Sequence, residues 1–219
     1  MQNGIRRKAP ETYFTGNGGQ RHTADALQSQ YMETKPEIRA RMLALRRALP
    51  EAEACERSAR VREQVYRLAE FQRATRVFTY VSSKVREVDT LTIIADLLSS
   101  GREVACPHVA LDGVMTWRRI PSMSALTPGK FGVLEPGSAC EPIEADASSV
   151  VLVPGIAFTI SGDRLGYGKG YFDRFLARYP GVSIGLAYDL QVVPQIPREP
   201  HDVRLHMLVT ESQSVIPSV

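Results

Sequence analysis

SVVLVPGIAFTISGDRLGYGKGYFDRFLARY, residues Ser149 to Tyr179, is the stretch from which the fold can be read. Val150 to Val153 is a short unbroken apolar run, the pattern of a strand covered on both faces. After a loop come Gly166, Gly168 and Gly170 at alternate positions, interleaved with Arg164 and Lys169, and they lead into an amphipathic helix expected over Tyr171 to Tyr179. A strand, a glycine-rich cationic turn and a helix start together make a cradle for phosphate. Glycine lets backbone N–H groups approach closely, the helix start aims further N–H groups at an anion, and the two cations neutralise it. Asp173, one turn into that helix, stands where a carboxylate can hold a metal on the same phosphates. The spacing is not that of the common nucleotide motifs. G-x-G-x-x-G begun at Gly166 needs glycine where Tyr171 stands, and a P-loop needs glycine at Asp163 and a hydroxyl at Gly170. A structural turn with an incidental lysine is the competing reading.

Working outward, the elements alternate. A helix is expected from Pro36 to Leu49, with Ile38, Met42, Leu45 and Leu49 on one stripe, and Pro36 suits its first turn. Lys35 and Arg39 lie side by side at the edge of that stripe, as a phosphate contact or as part of a solvated basic face with Arg41, Arg46 and Arg47. A second helix, Glu51 to Phe71, buries Val61, Val65 and Leu68. Strand Arg76 to Val81, helix Thr90 to Ser100 closed by Gly101, strand Glu103 to Pro107 and a hairpin arm Val114 to Ile120 follow. Ser138 to Ser149 reads as a polar connector, and Ser183 to Tyr188 and Leu205 to Thr210 as the last strands. This rhythm predicts an α/β fold, a largely parallel sheet flanked by helices, in one domain over residues 35–219. Residues 1–34, polar and poor in large apolar side chains, read as a disordered extension. Ligands of such sheets gather beyond the carboxyl ends of the strands. The loop carrying Glu87 and the glycine-rich turn both belong there, although the sequence does not show that they meet.

Composition bounds the function. A chain of 219 residues with 43% hydrophobic content supports one sizeable core, and a net charge of +3 demands no nucleic-acid partner. The three cysteines, Cys55, Cys106 and Cys140, are odd in number and scattered. They indicate neither a disulfide framework nor a zinc site, and fit reduced thiols in the cytoplasm. No apolar run approaches the length of a membrane helix.

The run GDRLGYGKGYFDRFL, Gly162 to Leu176, resembles the core motif of the 5-formyltetrahydrofolate cyclo-ligases, also called methenyltetrahydrofolate synthetases. Further segments match in the same order: Lys35-x-x-x-Arg39, Glu87-Val88-Asp89-Thr90, the run Phe131 to Pro136, and Pro200-His201-Asp202. The resemblance spans Lys35 to Glu211, and Met32 lies close to where the family usually begins, which favours an over-long gene start over an organellar address. It implies a sandwich like that of sugar-phosphate isomerases and CoA-transferases, acting as a monomer on 5-formyltetrahydrofolate and ATP with Mg2+. The family reaction closes 5-formyltetrahydrofolate to 5,10-methenyltetrahydrofolate. By resemblance, Lys35 and Arg39 contact ATP phosphates, and Arg164, Leu165, Gly166, Tyr167, Gly168, Lys169, Gly170, Tyr171 and Phe172 form the ATP loop. Arg164 and Lys169 act on the transferring phosphate. Val81 (or a close neighbour), Glu87, Gly168 and Tyr171 border the folate, and Asp173 and Asp202 are the magnesium carboxylates.

Each assignment has a plainer counterpart. Glu87 can be a loop charge or a cap near the Thr90 helix, Asp202 a turn cap, and Asp173 a first-turn acid. His201 and His206 read as surface or packing residues, and Trp117 as core or hairpin packing. Phe172 stands where the family commonly has a second tyrosine, and Tyr167 occupies a variable position. The alternative function is a non-catalytic folate- or RNA-binding relative; a sugar-phosphate enzyme on the same fold is a further rival.

Overall fold

The structure, a computed structural model, describes residues 33–110, 113–129 and 132–217. The extension expected over residues 1–34 lies outside the described residues up to Met32, as does Phe131. Glu33 and Thr34 belong to the fold. Glu33 pairs with Arg41 at 2.5 Å, and Thr34 caps helix α1 (Lys35–Ala48) in a reciprocal capping box with Glu37. The second helix is interrupted. Helix α2 (Glu51–Arg67) stops at Leu68, which is extended with φ −70° and ψ 128°, and a short helix α3 (Ala69–Arg73) follows. The break turns Leu68 and Phe71 into the core together, at 8% and 2% exposure; an unbroken helix does not offer that direction change.

Strand β1 (Arg76–Thr79) leads through a loop to helix α4 (Leu91–Ser99), which ends on Gly101 at φ +75°. Strand β2 (Glu103–Val109) and strand β3 (Met115–Ile120) form the expected antiparallel arm, paired from Val104 with Ile120 to Val109 with Met115. A small hairpin of β4 (Leu126–Pro128) and β5 (Leu134–Pro136) comes next. Strand β6 (Val150–Val153) has the expected bounds. A second hairpin, β7 (Ala157–Phe158) with β8 (Arg164–Leu165), precedes helix α5 (Tyr171–Leu176). Strands β9 (Val182–Leu186), β10 (Met207–Val209) and β11 (Ser214–Val215) complete the chain.

The main sheet has seven strands in the order β11-β10-β9-β6-β1-β2-β3, parallel from β10 to β2 and antiparallel at both edges. From β1 the chain steps outward to β2, then returns to β6 on the other side of β1 and continues through β9 to β10. The strand order therefore reverses between β1 and β6, where the crevice of an open α/β sheet forms. Val77, Leu152, Ile184 and Val209 pack on one face against Val61, Val65, Ile93 and Ile94. Phe78, Val151, Val153 and Leu208 face the opposite layer with Trp117, Leu176 and Tyr179. Trp117 meets Phe78 edge-on, centroids 5.3 Å apart, so it is a core residue as expected. Ile38 and Met42 of α1 cover Ala157 and Leu165 of the β7–β8 hairpin. This is the α/β sheet flanked by helices that the alternation implied.

Candidate active site at the β1–β6 switch point

The β7–β8 hairpin lifts the chain from the end of β6 and delivers Arg164 into the crevice. Arg164 is 7% exposed. Its Nη2 donates to Asp173 Oδ1 at 2.7 Å and its Nη1 to the Pro154 carbonyl at 3.3 Å, while its buried Nε has no partner among the described residues. A Cβ on Gly166 would stand 2.6 Å from Arg164 Nη1, so glycine there is what gives the guanidinium its place. Gly168 and Gly170 adopt φ of +91° and +65°, a region that side chains disfavour. Helix α5 has six residues against the expected run to Tyr179; the chain continues in a turn over 177–178 up to Pro180, whose ring disfavours helical geometry at Tyr179. Its macrodipole is correspondingly small, so a phosphate cradle here would rely more on turn N–H groups and cations than on a helix start. Lys169 is exposed and its ammonium has no partner among the described residues.

Helix α1 runs past this turn. Arg39 Nε donates to the Gly166 carbonyl at 2.9 Å. Lys35 reaches another segment, donating to Asp202 Oδ2 at 2.7 Å and Glu199 Oε2 at 3.0 Å. Burial disfavours the charged form of both partners, but their mutual bond outweighs it. The Asp202 carboxyl is held below its usual range, with help from the Glu199 N–H, and the Lys35 ammonium above its own. Asp173 and Asp202, expected together on magnesium, are each engaged by a different cation. The described residues that group like metal ligands are Glu199, His201 and Asp202, with ligand atoms within 4.8 Å of one another. Oxygen donors suit Mg2+, which takes few protein carboxylates and fills its shell with phosphate and water. Asp173 and Asp202 carry oxygen donors of that kind, each now bonded to its own cation, Arg164 and Lys35.

Glu87 closes the crevice from the β1 side. Its Oε2 accepts the N–H groups of Ser83 and Lys84 at 3.1 and 3.0 Å, and its Oε1 accepts the Tyr167 hydroxyl at 2.8 Å. The loop of Glu87 and the glycine-rich turn therefore meet. Asp89, not Glu87, holds the start of α4, accepting the Leu91 N–H at 2.9 Å and the Thr92 hydroxyl. Val81 is 5% exposed inside the core; the exposed apolar side chain of this loop is its neighbour Val85, at 57%. Leu165 is likewise a core side chain, at 2%. Tyr171 and Phe172 are half-buried, and Phe172 packs edge-on to Trp117 with centroids 6.1 Å apart. A cleft of about 380 Å³ lies beside Glu87, with Ser58, Arg62, Arg86, Asp89 and Tyr188 in its wall.

Arg46 was missed by the sequence reading. The stripe of α1 is expected to include Leu45, and the plainer reading of the helix puts Arg46 on a solvated basic face, yet Leu45 is 45% exposed and Arg46 is 0%. Arg46 Nη2 and Nε donate to the carbonyls of Val85 at 2.7 Å and Arg86 at 3.1 Å, and Nη1 to the Tyr167 hydroxyl at 3.1 Å. The signal was present: Ile38, Met42 and Arg46 recur at helical spacing, a cation in phase with the buried stripe.

A family model described as the 5-formyltetrahydrofolate cyclo-ligase family matches residues 31–211. The chain is 31% identical over 206 residues to a probable 5-formyltetrahydrofolate cyclo-ligase of Caenorhabditis elegans, covering 86% of this chain and 98% of the worm protein. It is 27% identical over 187 residues to the 5-formyltetrahydrofolate cyclo-ligase of Mus musculus, covering 80% and 92% of the two chains. The NMR structure of Aquifex aeolicus 5,10-methenyltetrahydrofolate synthetase superposes with a TM-score of 0.74 at 34% identity, over 83% of this chain and 92% of that one. From its sequence, its fold and these likenesses, the chain belongs to the 5-formyltetrahydrofolate cyclo-ligase family.

Proposed function

We propose that this chain closes 5-formyltetrahydrofolate to 5,10-methenyltetrahydrofolate at the expense of ATP in the crevice between the Glu87 loop and the glycine-rich turn. The activity is that of its family. The observation that carries the location is the Tyr167–Glu87 hydrogen bond of 2.8 Å, which joins the two loops across the switch point.

Amide-like resonance makes the formyl carbon a poor electrophile and its oxygen a poor leaving group. Attack of that oxygen on the γ-phosphorus releases ADP and turns the oxygen into a phosphate. N10 then attacks the activated carbon, inorganic phosphate departs with the former formyl oxygen, and N10 gives up its proton. The protein supplies alignment and charge stabilisation, and no nucleophilic side chain is needed. Arg164, locked against Asp173, is a preorganised donor beside the moving phosphoryl group, and Lys169 is a free cation that can follow it. Lys35 and Arg39 serve the remaining nucleotide phosphates, the turn from Arg164 to Phe172 surrounds them, and Glu87 accepts from the folate. Mg2+ held by Asp173 and Asp202 would neutralise phosphate charge. The reaction belongs in the cytoplasm with a monomeric enzyme; three unpaired cysteines support that compartment.

The test mixes the protein with 5-formyltetrahydrofolate and Mg-ATP and follows the near-ultraviolet absorbance of the methenyl product. A rise that requires ATP and magnesium is expected, with kcat/KM falling about 100-fold in Lys169→Ala, the lower end of the loss on removing one donor to transition-state charge, because Lys169 is not held in place. Unchanged kcat/KM in that variant would remove Lys169 from the chemistry. Folate or RNA binding without turnover would favour the non-catalytic alternative.

A further inference from the structure

We propose that Arg46 and Tyr167 are positioning residues that aim the Glu87 carboxylate at the folate and make folate affinity depend on nucleotide in the glycine-rich turn. The inference rests on the reading above, in which the turn holds ATP and Glu87 faces the folate.

Arg46 is fully buried on α1, and among the described residues no carboxylate touches it. Placing a guanidinium among neutral acceptors is costly, and an apolar side chain in phase with Ile38 and Met42 would cover the same surface without that cost. What the guanidinium does instead is fix three groups at once: the carbonyls of Val85 and Arg86 in the Glu87 loop, and the Tyr167 hydroxyl in the turn. Arg46 has only donors, so the Tyr167 oxygen accepts from it and spends its own proton on Glu87 Oε1. Burial raises the Tyr167 pKa, so the phenol keeps that proton throughout the physiological range. The Glu87 carboxylate is thereby held by the Ser83 and Lys84 N–H groups on one oxygen and by Tyr167 on the other.

Tyr167 lies between Gly166, whose carbonyl Arg39 holds, and Gly168, at φ +91°. Its hydroxyl reaches Glu87 in this conformation of the turn, and phosphate bound to the turn N–H groups would hold the turn in it. Nucleotide and folate then strengthen each other's binding by the same factor.

The experiment measures equilibrium binding of 5-formyltetrahydrofolate with and without a non-hydrolysable ATP analogue and Mg2+, in the wild-type chain, Tyr167→Phe, Arg46→Met, Arg46→Lys and Glu87→Gln. In the wild type the analogue should tighten folate binding at least about fivefold, within the usual range of such couplings. In Tyr167→Phe, which removes one hydroxyl and keeps the ring, that factor should fall below about twofold. Arg46→Met should act the same way, and Arg46→Lys should restore part of the factor. No nucleotide effect in the wild type, or an undiminished one in Tyr167→Phe, overturns the proposal. If Glu87→Gln binds folate as the wild type does, the folate role of Glu87 falls and the proposal with it. If Glu87→Gln loses folate while Tyr167→Phe keeps the full nucleotide effect, only the positioning role fails.

Discussion

Arg164 and Lys169 flank the same turn with the same charge, yet their surroundings give them different duties. Arg164 is buried against Asp173, which has 18% of its side chain exposed, whereas Lys169 stands in solvent. Arg164→Ala leaves a half-buried carboxylate without its cation, and should cost about 3 kcal/mol of stability, the lower end of the range for a broken buried pair. Lys169→Ala should stay within about 0.5 kcal/mol of the wild type, as solvent-facing substitutions do. Urea denaturation of both variants checks the contrast; equal midpoints would mean that the Arg164–Asp173 pair adds nothing to the fold. Phe172 keeps its ring against Trp117, so a hydroxyl at this position is not required for packing.

At the scale of elements, α1 serves both core and site. Ile38 and Met42 anchor it on the β7–β8 hairpin, Arg39 holds the Gly166 carbonyl, and Lys35 and Arg46 reach to either side. Helix α5 depends on Gly170, which enters it at φ +65° with its Cβ position 3.0 Å from Arg174 Nη1. Gly170→Ala should cost about 1–2 kcal/mol for the left-handed conformation alone. It should also lower activity by displacing Lys169; a thermal midpoint equal to the wild type would refute the strain. The break at Leu68 shows why the end of the second helix was misread. Val61, Val65 and Leu68 continue a helical period, but the core takes Leu68 and Phe71 from different directions, and helical propensity yields to that burial.

For the whole molecule, the Lys35–Asp202 pair ties α1 to the segment before β10, and its titration sets a pH dependence. Because the Asp202 pKa is depressed on folding, its contribution is fully present above the unfolded value of about 3.9 and is lost as pH falls through the folded one. Because the Lys35 pKa is raised, its contribution is full below about 10.4 and is lost at higher pH. Unfolding free energy should therefore drop as pH falls below about 4, with a shallower slope in Lys35→Met. The same acid slope in wild type and variant would discard the pair as a determinant. The capping box at Thr34 and the family match from residue 31 suggest a further test: removing residues 1–32 should leave the thermal midpoint within a few degrees, and kcat/KM within about twofold, of the full chain. Loss of activity in that truncation would give the segment a role. The sequence by itself determined the alternation of strands and helices, the bounds of β6, the glycine-rich cationic turn and the family, because apolar period, turn residues and motif order are local properties of the chain. The tertiary structure decided what each charge touches: Lys35 on Asp202 and Glu199, Arg164 on Asp173, Tyr167 on Glu87, and Arg46 inside the protein. Those pairings join residues distant in sequence, set by the strand reversal between β1 and β6 and by the seating of α1 across the turn, neither of which a local pattern encodes.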